Sequence, residues 1–436
     1  MQTDDASNLF QTDAALEKSD ARRLKAQRAS KIGDPIQLPS KVLALEVRNQ
    51  DAWVAESGWV ARQVDLATGK ARRVYKGHQG PCTSLAFYDI PGSGPNSKDT
   101  ILFTGSWDKT IKVWNTKTAQ CFSTIPAHAD FVKCLLVIPW LGLLVSGSSD
   151  KQINIWDITP LSAGSATPSE PNFRLRKLKT LKDHTRPVEC FTFTEPTSSE
   201  RHSGEATFYS ADSMGVIRSW RIKREKENNP DGQACGFGGD VTILEKGTLE
   251  GHHTSVAEMN VGEGGLWSAS VDNHVLFHSL ARTPSPRAPI PIPHPDYVKS
   301  VLLLPTSFHP TAPLLLTGSV DEDIRVYDVS EILEQSGDTH LAVDGQVKAR
   351  EIANVKGHFG EVSALRCWIK DGDKGKEPWV VSASLDATLR RWSMKDILDP
   401  PPIPVEDEKE KETSLMTADE ERELAELLGS DDEQDL

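Results

Sequence analysis

An imidazole beside a carboxylate can relay a proton or, with further ligands, help hold a metal ion. This chain repeats those two residue types at a regular spacing. A short lead-in ending in histidine occurs six times: "KGHQG" (His78), "PAHAD" (His128), "KDHTR" (His184), "EGHHT" (His252), "IPHPD" (His294) and "KGHFG" (His358). In four later segments an aspartate stands six residues before an aromatic: Asp108 and Trp114, Asp150 and Trp156, Asp321 and Tyr327, Asp386 and Trp392. A small triplet of the form Ser/Thr–Gly/Ala–Ser precedes each of these acids, as in "SGSSDKQINIWD".

Catalysis would need these groups to converge with a nucleophile, a phosphate cradle or a metal motif, and no such spacing is present. GxxxxGK[ST], HExxH and GxSxG are absent. "TGKARR" (68–73) lacks the leading glycine frame, and "GFGGD" (236–240) reads as a loop. The six cysteines include no CxxC pair, so neither zinc nor a disulfide framework is indicated, and a reducing, intracellular setting follows. The expectation is a protein that is not an enzyme and carries no cofactor and no metal. A buried carboxylate needs donors, and histidine, serine and tryptophan supply them, so a structural role for the pairs is the simpler reading.

The segments between the markers alternate as half-buried strands do: Ile111 and Val113, Ile153 and Ile155. Leader, acid turn and Trp-Asp ending together resemble the WD40 repeat family, over roughly residues 33–398. That resemblance implies an all-β fold, a β-propeller of four-stranded blades. In each blade the leader histidine, a Ser/Thr of the second strand, the turn aspartate and the third-strand tryptophan would form one hydrogen-bonded set. For the "SGSSD" unit the matching residues are His128, Ser146, Asp150 and Trp156. The sets would also draw in His78, Asp108 and Trp114, then His294 and Asp321, then His358, Asp386 and Trp392. A degraded first unit (41–78), with Gly58 in the acid's place, brings the expected number of blades to seven. Met214 in the fourth repeat and His278 in the fifth stand where an acid and a tryptophan are expected, which leaves those sets in question. Prolines after Trp392 end the last blade one strand short, so "GDPIQLPS" (33–40) is expected to supply the missing strand.

The expected organisation is an N-terminal extension, partly helical (1–32), a propeller (33–398) and an acidic C-terminal tail (399–436). Extra length falls in turn-rich stretches at 91–99, 161–173, 195–204, 226–240 and 281–293. The net charge is −14, and residues 406–436 hold fourteen acids against three bases, so the acidity belongs to the tail. Direct nucleic-acid binding and membrane insertion are both disfavoured. In the tail, a capping box at Thr417 and Glu420 precedes Leu424, Leu427 and Leu428 at helical spacing. This is either a docking helix or a solubilising appendage. Arg22, Arg23, Lys25 and Arg28 are either a nuclear-import patch or a solvated helix face, and they tip localisation toward the nucleus over the cytoplasm. Thr283, Ser285 and Ser430 sit in contexts that suit phosphorylation.

In the resembled family the edge bearing the histidines and acid turns is the usual partner surface. Trp107, Phe131, Arg186, Tyr297 and Phe359 lie beside those markers and are the candidate contacts, the alternative for Trp107 and Phe131 being packing between blades. Two functions follow. One is a non-catalytic scaffold subunit of an intracellular multiprotein complex. The other is an escort for a basic client, a histone or ribosomal protein, held by the acidic tail.

Overall fold

The computed structural model describes residues 20, 23–90, 100–161, 175–228, 234–249, 251–280, 288–337, 348–372 and 375–402. Residues 30–401 form one compact unit. Of the terminal unit, residues 23–28 are helical, with Arg23 paired to Asp20 at 3.2 Å.

Among the described residues, 28 strands make seven four-stranded antiparallel sheets. Blade 1 spans 42–76, blade 2 82–126, blade 3 132–181, blade 4 188–249, blade 5 256–293, blade 6 298–356 and blade 7 362–393. Each innermost strand packs on that of the next blade, and blade 7 packs on blade 1, which closes the ring. The molecule is a seven-bladed β-propeller.

The strand pattern explains the packing. In the third strand of blade 2, Thr110–Asn115, the side chains of Ile111, Val113 and Trp114 are fully or almost fully buried. The small triplets serve close approach between blades. A Cβ added to Gly105 would lie 2.5 Å from Ser84 Oγ and 2.7 Å from Val132 Cγ1, so only glycine lets blade 3 press against blade 2 here.

Closure uses the N-terminal side of the chain. Ile36–Gln37 pairs antiparallel with Thr388–Ser393, in the register Ile36↔Leu389. The Leu38 amide extends the ladder to the Ala387 carbonyl at 2.8 Å. Gly33 has φ +68, and an added Cβ would fall 2.5 Å from the Trp392 ring, so the entering chain crosses directly over that indole. Arg391 ties down the same segment through Asp34 at 2.6 Å, and Arg390 bonds the Ile32 carbonyl.

Three stretches expected to be loops have other structures. Residues 195–204 contain a helix, Ser198–Ser203, started by a capping box between Thr197 and Glu200. Much of 226–240 is a hairpin: the outer strands of blade 4, Ile217–Asn228 and Ala234–Leu249, run on past the other blades. Arg224 fixes its base, reaching Asp157 at 2.8 Å and the Leu141 carbonyl at 2.7 Å in blade 3. Polar alternation in a glycine-rich segment hid this hairpin. The end of 281–293 is also a strand, Ile290–Pro293, on the edge of blade 5, where its two prolines leave no ladder partner unmet. No described helix is long and apolar enough to cross a membrane.

Candidate functional site

All seven turns between second and third strands lie at one end of the ring. In every blade such a turn donates a backbone N–H to the loop that leads into that blade's innermost strand. Examples are Ser57 to the Lys41 carbonyl (2.9 Å), Trp107 to Pro81 (3.0 Å), Ser149 to Phe131 (3.0 Å) and Val320 to Tyr297 (2.9 Å). The leader histidines sit in those loops, so the histidines and acids share one face.

In blade 3, Trp156 Nε1–H donates to Ser146 Oγ at 2.9 Å, and Ser146 Oγ lies 2.8 Å from His128 Nε2. His128 Nδ1 is 3.0 Å from Asp150. One assignment satisfies all four groups: indole N–H to hydroxyl oxygen, hydroxyl to Nε2, Nδ1–H to carboxylate. Blade 2 repeats it through Trp114, Thr104, His78 and Asp108, and blade 7 through Trp392, Ser382, His358 and Asp386. Both imidazole nitrogens are engaged each time, which leaves no lone pair for a substrate or metal. Burial pulls the Asp386 carboxyl upward in pKa, yet the bonds from His358, Thr388 and the Phe359 amide outweigh it and hold the group down at about 2. Asp108 and Asp150 are likewise held below the usual carboxylate range against the effect of burial.

The remaining blades depart from this scheme. Blade 4 does have an acid. Asp212 occupies the strand-end position that Ser106 and Ser148 hold elsewhere, so its carboxylate reaches His184 from the strand rather than the turn, at 2.9 Å. Ser210 and Trp220 complete that set, and Met214 is merely exposed. Blade 1 places Glu56 at the same strand-end position, where it accepts from Ser40 at 2.7 Å and pairs with Arg62. The signal was in the triplets: "SAD" (210–212) and "VAE" (54–56) end in acid where the others end in serine. Blade 5 joins His252, Ser268 and Asp272, with the buried His278 in the indole's register.

Blade 6 overturns one expected pairing, because His294 and Asp321 do not bond to each other. Arg325, four residues beyond Asp321, takes the carboxylate at 2.6 Å, a charge-assisted contact that a neutral imidazole cannot match. His294 Nδ1–H donates instead to the Ile292 carbonyl at 3.0 Å, and Nε2 accepts from Thr317 at 2.9 Å. Burial, with Arg325 nearby, lowers the His294 pKa to about 4. The unfolded chain therefore binds a proton that the folded one refuses between about pH 6.5 and 4. Stability from this group is intact above pH 6.5 and falls as the pH drops through that window, by about 3 kcal/mol. His294→Gln removes the titration. Denaturant melts of the wild type and variant should diverge across that window, and parallel curves would contradict the assignment.

The candidate contact residues have distinct placements. Trp107 and Phe131 are exposed and stack on each other, with centroids 5.1 Å apart and planes 20° from parallel. Tyr297 and Arg186 are exposed, whereas Phe359 is half-buried with its amide on Asp386 at 3.2 Å. Trp59 and Met214 join the same face, 52% and 51% exposed, and were missed because each occupies a turn position expected to hold polar residues. Leu424, Leu427, Leu428, Thr283, Ser285 and Ser430 lie outside the described residues.

Beneath this face the axis of the ring is a cavity of about 510 Å³ with Trp107 at its lip. The residue after the first of each innermost strand forms its mouth: Leu43, Thr83, Lys133, Glu189, Ala257, Lys299 and Ser363. Lys133 pairs with Glu189 at 3.2 Å. Deeper, Arg366 of blade 7 spans to Glu46 of blade 1 (3.0 Å) and Glu258 of blade 5 (2.7 Å). Burial raises the pKa of Glu258 despite Arg366, and the two acids raise that of Arg366 against the effect of burial.

Seven blades, five of them with a histidine–acid set on one common face, define a WD40-repeat propeller, and the chain belongs to that family. The model of the WD domain, G-beta repeat, matches residues 69–115, 119–157, 290–328 and 349–393. The unmatched stretch 158–289 holds the shifted acid of blade 4 and the third strand of blade 5, where His278 stands in place of tryptophan. An uncharacterized WD repeat-containing protein of Schizosaccharomyces pombe is 29% identical over 439 aligned positions, covering 98% of this chain and all of that protein. The WD40 repeat protein poxJ of Penicillium oxalicum is 35% identical over 91 residues, 20% of this chain and 25% of that protein. COMPASS component SWD3 of Saccharomyces cerevisiae is 39% identical over 56 residues, 13% of this chain and 15% of that protein.

Proposed function

We propose that the protein is a non-catalytic interaction scaffold, a subunit of an intracellular multiprotein complex, that docks partners on the histidine face. One observation carries the reading. Of the nine exposed large hydrophobic residues among the described residues, five (Trp59, Trp107, Phe131, Met214 and Tyr297) lie in the turns and loops of that single face. Scattered exposed apolar residues need no explanation, but aromatic ones gathered on one face do. The histidine sets, with both ring nitrogens of each imidazole engaged, hold the face rigid. Residues 33–398 are the scaffold unit, and the tail from 399 is a second docking element through Leu424, Leu427 and Leu428. Arg22, Arg23, Lys25 and Arg28 favour a nuclear setting.

A second reading, escort of a basic client, is favoured by the charge of the tail, fourteen acids against three bases in 406–436. Affinity purification from the protein's own cells separates the two. The test compares the full-length chain, a Trp107→Ala/Phe131→Ala variant and a 1–405 truncation. Scaffolding predicts that the double variant loses most partners while its melting temperature is kept. The escort reading predicts that the truncation alone loses basic partners, in a salt-sensitive way. Identical partners in all three would reject both.

A further inference from the structure

The charges at the channel mouth do not balance, and the imbalance sits opposite the exposed aromatic pair. Going round the ring from blade 1, the mouth reads Leu43, Thr83, Lys133, Glu189, Ala257, Lys299, Ser363. Its polar members are satisfied internally with one exception. Thr83 donates to the Val132 carbonyl at 2.6 Å, Ser363 to the Val42 carbonyl at 2.9 Å, and Lys133 pairs with Glu189. Lys299 stands between Ala257 and Ser363, and among the described residues no carboxylate pairs with it. The nearest acid in register, Glu258 on the adjacent blade, is held by Arg366 and by the Val301 amide at 3.0 Å. Across the cavity from Lys299, on the blade 2–3 side, Trp107 lines the same opening with Phe131 stacked on it.

We propose that the mouth is a socket for an acidic peptide segment. A Glu or Asp carboxylate of the partner enters to meet Lys299, and a neighbouring apolar side chain lies on the Trp107–Phe131 ledge. This deepens the scaffold reading and rests on it. The charge count favours a carboxylate over a phosphate: one spare ammonium matches one negative charge, and a phosphate brings nearly two. The Glu46–Arg366–Glu258 triad below, with two acids on one base, repels a more highly charged guest and keeps the carboxylate at the mouth. A lysine or arginine guest would face Lys299 with both nearby acids already engaged.

The test uses full-length protein and blocked peptides in which phenylalanine is separated by one to three glycines from a variable residue: glutamate, glutamine, phosphoserine or lysine. Binding is read by calorimetry at low salt, up to about 5 mM peptide. The glutamate peptides should bind about fivefold tighter than the glutamine ones, the scale of one accessible ion pair. Lys299→Ala should erase that ratio without moving the melting temperature or the weaker glutamine binding, and Lys133→Ala should leave Lys299-dependent binding in place. Equal binding of glutamate and glutamine, a ratio that survives Lys299→Ala, tighter binding of the lysine or phosphoserine peptide, or no binding at all would each overturn the socket. If Trp107→Ala still abolishes recovery of cellular partners while the peptides show no preference, the scaffold reading stands and the socket alone fails.

Discussion

Asp386→Ala should destabilise the propeller by about 2–4 kcal/mol, the cost of leaving several buried donors without an acceptor. The carboxylate is fully buried against His358 and accepts from its Nδ1 (2.8 Å), from the Thr388 hydroxyl (2.6 Å) and from the backbone amides of Thr388 (2.8 Å) and Phe359 (3.2 Å). The loss falls on the blade that closes the ring, beside Trp392 and the clasp strand, so opening there exposes blade 1 as well. Met214→Ala is the control. It occupies the equivalent turn of blade 4, where Asp212 does the work, and should change stability by no more than about 0.5 kcal/mol. Urea melts of the two variants check the pair, and equal midpoints would show that the histidine set contributes nothing to stability.

The second large effect is expected inside the channel. Arg366→Ala removes the base that joins Glu46 and Glu258, leaving two acids facing each other across the ring. Breaking a sealed ion pair costs roughly 3–5 kcal/mol, but about a quarter of the Arg366 side-chain surface (26%) still meets the channel, so about 2–3 kcal/mol is the appropriate figure. Adding Glu258→Gln to Arg366→Ala should recover part of the loss, because the remaining acid then has a neutral neighbour. A single variant as stable as the wild type, or a double variant no better than the single, would show that the triad is neutral to the fold.

Much of this architecture was legible in the residue order because a propeller is built from local hairpins. Strand alternation, small triplets and leader histidines recur within each blade, so blade number and the clasp at 33–40 could be read without long-range information. What escaped was set by position across strands. Asp212 and Glu56 lie two residues before the turn positions occupied by Met214 and Gly58, and only the register against Val188 and Val42 shows that a strand-end acid can reach the same place. The Asp321–Arg325 pair was hidden for a related reason: the competitor for the carboxylate lies on the third strand, off the motif. The mouth and triad residues carry no motif. They come together from seven separate strands, and Arg366 finds Glu258 two blades away.

The central claim is that partners dock on the histidine face, and cross-linking of the assembled complex in its own cells tests it most directly. Exposed lysines mark both ends of the ring: Lys109, Lys151 and Lys356 beside the histidine loops, Lys70 and Lys117 in turns at the opposite end. Links from the propeller to partner proteins should concentrate on the first three. Links confined to Lys70 and Lys117, with Lys109, Lys151 and Lys356 reacting only as free surface, would contradict it.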